Sequence, residues 1–340
     1  MVRKIKIRDI ARTAEVSPAS VSQAFNDPHR VNRETRKRIL EVAEKLGYVR
    51  IRQKKAKKGF IGVIADNYYN LLMGEFYNMV VLGILDELKS RKMNVLLEAV
   101  AAGEEYFPKM ITKNLVDGLL FLGKVSRDLI MMIKQKDIPI VLVGHPIPDM
   151  EIHTIVSDGR SGAIQAVTHL IELGHKNIAI VTGEPAFDPI TSERLEGYKF
   201  ALSNAGIRTR AEYIAQADFG KPETATEAVV NLLGLKDPPT AIFCASDSLA
   251  FRAYKAIDEA GLKIPKDISV VGFDNISAPP YAEEVSPSLT SINVDRYQMG
   301  KMSVDLLFDI IANPSKTACR HTLPVKLVIK NSTKSPKKGR

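Results

Sequence analysis

Along the first fifty positions, apolar residues recur at helical spacing. Ile7, Ile10 and Ala11 fall at i, i+3 and i+4 while Arg8, Asp9 and Arg12 face away, which predicts a helix over Lys6–Thr13. Ser17 is placed to cap a second helix that starts with Pro18 at its first position and runs to Phe25, before Asn26-Asp27-Pro28 breaks it. After Asn32, another capping residue, Ile39, Val42, Ala43 and Leu46 mark a third helix that Gly47 ends in the left-handed conformation. Two short helices joined by a tight turn make a helix-turn-helix, and the third covers the apolar face that the pair leaves open.

From Phe60 onward the pattern changes. Continuous apolar runs alternate with amphipathic stretches: Phe60–Ala65, a helix around Glu75–Lys92, then Asn94–Leu97, Gly118–Leu122, Ile138–Val143, Ile178–Val181, Ala241–Cys244 and Ile268–Gly272. Apolar runs with helical crossovers predict parallel sheets covered on both faces. A body of about 280 residues is more than one such sheet supports, so two lobes are expected. The fold class is therefore α/β, preceded by an N-terminal helical domain.

Charge sharpens the division. Residues 1–59 hold seventeen Lys/Arg against six Asp/Glu, and residues 326–340 hold six basic side chains and no acid, although the 340-residue chain nets only +9. A basic head thus precedes a mildly acidic body. Such a head suits duplex DNA, because counterion release supplies most non-specific affinity. No apolar stretch reaches the roughly 18 residues of a spanning helix, and the basic N-terminus has no apolar run behind it, so neither a membrane segment nor a secretory signal is expected. Cys244 and Cys319 are too few for a disulfide framework or a zinc site, which points to a cytoplasmic protein with no metal and no cofactor.

Helical spacing alone also fits a three-helix bundle with no nucleic-acid role. The outward face of the second helix argues for DNA: Ser17, Ala19, Ser20, Ser22, Gln23 and Asn26 are small, hydroxyl-bearing or amide-bearing. Small residues let a helix sit deep in a major groove, hydroxyls suit phosphates, and Gln23 can bond an adenine edge at two points. The runs Ile7–Ala11, Val16–Ser22, Val31–Arg36 and Leu46-Gly47-Tyr48 resemble the DNA-binding domain of the lactose-repressor (LacI/GalR) family. That resemblance implies base-reading roles for Pro18, Ala19 and Gln23, and backbone contact or helix support for Ser17, Ser20, Ser22 and Asn26. An arginine common in the family at the Gln23 position is absent, and Glu15 replaces a frequent turn glycine. Residues 49–59 lack the leucine that the family's hinge helix wedges into the minor groove, so a hinge helix and a disordered basic tether both remain open.

In open parallel sheets, ligands bind beyond the carboxyl ends of strands. Those ends carry Asp66, Phe76-Tyr77, Arg194, Asp218-Phe219, Ser246-Asp247 and Asp274-Asn275. Rings for C–H faces and planar charged groups for hydroxyls equip a sugar site. Singly, Phe76 and Tyr77 could be core, Arg194 a surface ion pair and Asp247 a helix cap. Their joint placement favours a ligand site. The body also resembles the family's effector domain, through Gly83-Ile84, Asp158 with Gly162, His169-Leu170, Leu173-Gly174-His175, Arg194–Tyr198, Ser246-Asp247, Gly272–Asn275 and Met299-Gly300. The resemblance implies a two-lobed body of the periplasmic-binding-protein type in which Arg194 and Asp274 grip the ligand. Phe76, followed by Tyr77 as a further ring candidate, matches a pocket position, as do Phe219 and Asp247, and Asp158 lies at a lobe crossover. An insertion near Asn67–Gly74 widens the mouth of the cleft, and Asn293-Val294 stands where the family often has Arg-Gln.

Other signals fall away. Gly118–Lys124 fits the start of a phosphate-binding loop, but Val125 stands where its magnesium ligand should be and the segment reads as a strand. His169 and His175 are expected to cap or pack a helix end, Asn331-Ser332-Thr333 is a sequon without meaning here, and Lys334–Arg340 reads as a disordered basic end. The expected organisation is a DNA-binding domain over 1–48, a linker over 49–59, a body over 60–330 and a tail over 331–340. Within the body, about 60–160 with 292–322 form the N-lobe, and about 161–291 with 323–330 the C-lobe. The resemblance implies a transcription repressor, dimeric on a near-palindromic operator and controlled by a small sugar or sugar derivative. The alternatives are a sugar-binding protein with no regulatory role, which would need export, and an enzyme, for which no nucleophile–base or metal constellation is present.

Overall fold

The computed structural model describes residues 5–26, 31–46, 59–66, 76–100, 107–184, 188–218, 221–278 and 287–337. The chain divides into two compact units, Met1–Lys57 and Lys58–Arg340.

The first unit holds α1 (Ile7–Thr13), α2 (Pro18–Asn26) and α3 (Arg33–Lys45). The caps fall where the sequence places them. Ser17 Oγ accepts from the Ser20 N–H at 2.9 Å and Asn32 Oδ1 from the Glu34 N–H at 2.9 Å, satisfying donors that a helix start leaves over. Ile10, Val21 and Ile39, one from each helix, meet with no exposed surface, and Ala11, Ala14, Ala24 and Ala43 let the helices approach around them. Between α1 and α2, Glu15 takes a left-handed φ of 52°. The end of α3 at Gly47 and the linker lie outside the described residues.

The second unit contains two six-stranded sheets. The first runs in the order β2 (Asn94–Ala99), β1 (Phe60–Ala65), β3 (Gly118–Leu122), β4 (Ile140–Val143), β5 (His153–Ser157) and β11 (Arg320–Leu323), all neighbours parallel. The second repeats that winding: β7 (Ile214–Gln216), β6 (Ile178–Thr182), β8 (Ala241–Cys244), β9 (Ser269–Asp274), β10 (Thr290–Asn293), then β12 (Lys326–Val328), antiparallel at the edge. In both, strand order reverses beside the first strand, the switch point where α/β sheets open a crevice. Helices α4 (Tyr77–Ser90), α5 (Lys109–Thr112) and α6 (Arg127–Lys134) connect strands of the first sheet. Helices α7 (Gly159–Glu172), α8 (Pro189–Asn204), α9 (Pro222–Leu233) and α10 (Asp247–Glu259) serve the second, and α11 (Arg296–Ala312) returns to pack on α4.

Two helix pairs cross at glycine. A Cβ on Gly83 would lie 2.1 Å from the Tyr297 carbonyl oxygen, and one on Gly300 2.1 Å from that of Val80, so α4 and α11 touch backbone to backbone. Gly197 of α8 approaches the Arg160 carbonyl of α7 in the same way. These contacts explain why Gly83, Gly197 and Gly300 belong to the motifs quoted above.

The expected disordered tail is a correction. Ser332 is fully buried, donating to the Val270 carbonyl at 2.6 Å and accepting from the Thr290 N–H at 2.8 Å. His169 Nε2 lies 3.0 Å from Thr333 Oγ1, His175 Nε2 lies 2.8 Å from the Lys334 carbonyl, and Lys337 pairs with Asp267 at 2.6 Å. The two histidines thus pin the returning chain across β9, which composition could not foretell. Residues 338–340 lie outside the described residues.

Candidate functional site

The first unit offers one surface. Ser17, Pro18, Ala19 and Gln23 are exposed, and Ser20 and Ser22 are half-buried beside them, while Val21 and Ala24 turn inward. Pro18 and Ser22 stand at i and i+4, as do Ala19 and Gln23, so these four share one side of α2. Asn26 closes the helix. Ser17 and Ser20 bond each other through their hydroxyls at 2.9 Å, which fixes the first turn of that surface.

In the second unit, a cleft of about 920 Å³ opens where the carboxyl ends of the two sheets converge. Asp66 follows β1, Lys124 follows β3, His145 follows β4 and Ser157 ends β5. From the other sheet come Glu184 after β6, Asp218 after β7, Ser246 after β8 and Asp274 at the end of β9. Phe76 and Tyr77 line it from the start of α4, their rings edge to face at 5.0 Å.

Arg194 enters from α8. Only 7% exposed, it donates through Nη1 to the Ala245 carbonyl and through Nη2 to Asp274 Oδ1 at 3.3 Å, with its guanidinium 3.7 Å from the centre of the Phe273 ring. Nε has no hydrogen-bond partner among the described residues. Burial pushes the Asp274 carboxyl up from its ordinary value, while Arg194, Arg296 and His145 pull it down. Asp274 has φ 109° and Asn275 φ 50°. Held in such conformations, non-glycine residues cost about 1–3 kcal/mol each, and their neighbours must fix them.

That fixing is the role of Asp247, which does not line the cleft. It has no exposed surface; its carboxylate accepts from Ser291 Oγ at 2.6 Å and from the Ile276 N–H at 2.8 Å, while Ser291 Oγ accepts from the Asn275 N–H at 3.1 Å. Asp247 therefore buttresses the turn that presents Asp274. A Cβ on Gly272 would stand 2.0 Å from Asp247 Oδ1, so glycine there leaves room for the carboxylate. Burial, then the charge of Asp274, raises the Asp247 carboxyl to about 8 against those donors. Asp158 is also outside the lining: it caps α7, accepting from the Ser161 N–H at 2.9 Å. Both aspartates, expected at the ligand, instead serve helix starts and turns. Phe219 and the insertion near 67–74 lie outside the described residues.

The structure adds a bridge that sequence reasoning missed. Asp188 caps α8 through the Ile190 N–H at 3.0 Å. Its Oδ2 also faces Lys124 Nζ at 3.4 Å and His145 Nε2 at 3.8 Å, both on loops of the first sheet. His145 Nδ1 lies 3.3 Å from the Tyr77 hydroxyl. Burial alone would raise the Asp188 carboxyl; the hydrogen bond and charge of His145, with Lys124 and the Ile190 N–H, hold it well below the carboxylate range. Burial, with the charges of Asp66, Asp274 and Asp188, drives the Tyr77 phenol far above its ordinary value, so it stays a neutral donor. Gly144, at φ 90°, leaves room for that hydroxyl: a Cβ would sit 2.6 Å from it. A second tie joins the lobes at Arg320 and Glu193, 2.5 Å apart.

Among the described residues no helix is long and apolar enough to cross a membrane, and no group of three or more His, Cys, Asp or Glu could hold a metal ion. Residues 6–50 match the model described as bacterial regulatory proteins, lacI family, and residues 167–333 that of a periplasmic binding protein-like domain. The chain is 31% identical over 338 residues to the HTH-type transcriptional repressor CytR of Escherichia coli K12, covering 97% of this chain and 96% of that one. It is 32% identical to catabolite control protein A of Priestia megaterium, covering 97% and 99%. Among solved structures, a complex of the transcriptional regulator CelR with cellobiose aligns with TM-score 0.73 at 28% identity, over 96% of this chain and 99% of that one. A LacI family regulator from Enterococcus faecium with bound ribose aligns with TM-score 0.70 at 28% identity, over 82% and 100%. With a capped helix-turn-helix, two doubly wound sheets and relatives matched along nearly its full length, the chain belongs to the LacI family of transcriptional regulators and carries a periplasmic-binding-protein-like body.

Proposed function

We propose that this regulator is a repressor whose hold on its operator is set by a small sugar-like effector bound between the two lobes. The observation that carries the reading is the convergence of both sheets' carboxyl ends on one cleft, with Arg194 and Asp274 deep within it and aromatic rings at its wall. Carboxylates accept from hydroxyls, and Phe76 and Tyr77 offer apolar faces to C–H groups. Relatives solved with cellobiose and with ribose support a sugar as the ligand.

On the DNA side, α2 supplies Gln23 to an adenine edge and Pro18 and Ala19 to the groove floor, with Ser17, Ser20, Ser22 and Asn26 toward phosphates or in support of the helix. One head makes few base contacts, so the operator is near-palindromic and the protein a homodimer. The exposed Met79, Leu82 and Leu85 of α4 offer an apolar patch for a second copy. The effector biases the angle between lobes, and a coupling of about 1–3 kcal/mol changes operator affinity roughly 5- to 150-fold.

A thermal-shift screen of mono- and disaccharides tests the cleft. A ligand present at about 100 times its dissociation constant adds roughly 2.7 kcal/mol of stability. If no sugar stabilises the protein, the effector half of the proposal fails.

A further inference from the structure

Taking the sugar-binding reading of the cleft as its starting point, the charge of the lining says which sugars enter. Its described residues include five carboxylates, Asp66, Glu184, Asp188, Asp218 and Asp274, against two permanent cations, Lys124 and Arg194. Both cations already face protein carboxylates. Lys124 Nζ stands 3.4 Å from Asp188, and the Arg194 fork is divided between Asp274 and the Ala245 carbonyl. An anionic sugar is best held by a guanidinium offering two parallel N–H groups. Here that pair is taken, by Asp274 and by the Ala245 carbonyl, so the fork is not open to an anion.

A cleft with one dominant sign of charge and low-dielectric walls focuses its field on whatever enters. From this geometry we infer that the effector is an uncharged or amine-bearing polyhydroxyl compound, and that the cleft excludes sugars carrying a carboxylate or phosphate. Hydroxyl and ammonium groups donate, matching a lining in which ionised carboxylates can only accept. A uronate or sugar phosphate would bring a further anion among five, and the two permanent cations it could pair with already face Asp188 and Asp274.

The test is titration calorimetry on the full chain with charge-matched sets built on glucose, galactose and ribose: the neutral sugar, its amino form, its uronate and its phosphate, with cellobiose as a larger neutral probe. The expected result is binding by a neutral or amino member, with its uronate and phosphate weaker by at least about tenfold, or about 1.4 kcal/mol. That ratio should shrink as salt rises, since screening weakens charge discrimination but not shape discrimination. If a uronate or phosphate binds as tightly as its neutral parent, the inference is overturned while the sugar reading stands. If the discrimination is unchanged by salt, its charge origin is overturned. Should no probe of any charge bind, the sugar reading falls and this inference with it.

Discussion

Asp247 offers a sharp test, because ligand contact and turn support predict opposite outcomes for Asp247→Asn. Its carboxyl is raised to about 8 in the folded protein, whereas in the unfolded chain it returns to about 3.9. Between those values the folded state binds the extra proton, so Asp247 lowers stability progressively as pH climbs from about 4 to about 8. At 1.36 kcal/mol per pH unit the ceiling over that window is about 5–6 kcal/mol. The donors at Ser291 and Ile276 let the site relax around the charge, as the effective dielectric of real interiors implies, so about 2 kcal/mol is a reasonable expectation. An asparagine keeps one acceptor for the Ile276 N–H and can donate to Ser291 Oγ, without the titration. Urea unfolding of both proteins at pH 5 and pH 8 should show the variant gaining on wild type by about 1–2 kcal/mol across that range. Sugar binding should persist. A stability gap that ignores pH, or a variant that folds normally and binds no ligand, would refute the assignment of Asp247 to the turn.

Three further outcomes follow from the same geometry. Gly300→Ala must move α11 off the Val80 carbonyl and should cost about 1–3 kcal/mol in chemical denaturation of the body; an unchanged midpoint would contradict the close crossing. Glu15→Gly relieves a left-handed φ and should raise the head's transition by about 1 kcal/mol in calorimetry of the full chain. Gln23→Ala leaves folding untouched because the side chain is exposed, yet should weaken operator binding by about 1–3 kcal/mol and relax selection at one base pair.

Much of this architecture is legible in the chain. Ser17 and Asn32 announce helix starts because a side-chain oxygen at that position has a definite donor to meet, and the continuous apolar runs announce buried parallel strands. Strands β5, β10, β11 and β12 escaped notice because they are short and carry polar residues such as His153, Thr154, Arg320 and His321, so their pairing depends on neighbours distant in sequence. The site divides the same way. Asp274 follows from strand-end placement and Arg194, inside α8, from the family resemblance, but Asp158 and Asp247 occupy placements like that of Asp274 and turn to backbone N–H groups instead. A carboxylate at the start of a helix has two competing uses that need not exclude each other, since Asp188 caps α8 and still lines the cleft, so only the assembled fold decides. Lys124, His145 and Asp188 form a bridge that exists once the two sheets face each other, which no local pattern encodes; their one visible trait was standing just past a strand or before a proline.

The central claim, that the cleft governs the head, rests on one comparison. A duplex selected by the full-length protein from a random pool is titrated by fluorescence anisotropy at fixed salt, with and without a sugar that calorimetry shows to bind. The account predicts that operator affinity changes roughly 5- to 150-fold, and that Arg194→Met abolishes both the sugar binding and the change while leaving sugar-free operator binding intact. A sugar that fills the cleft yet leaves operator affinity within about twofold would contradict it.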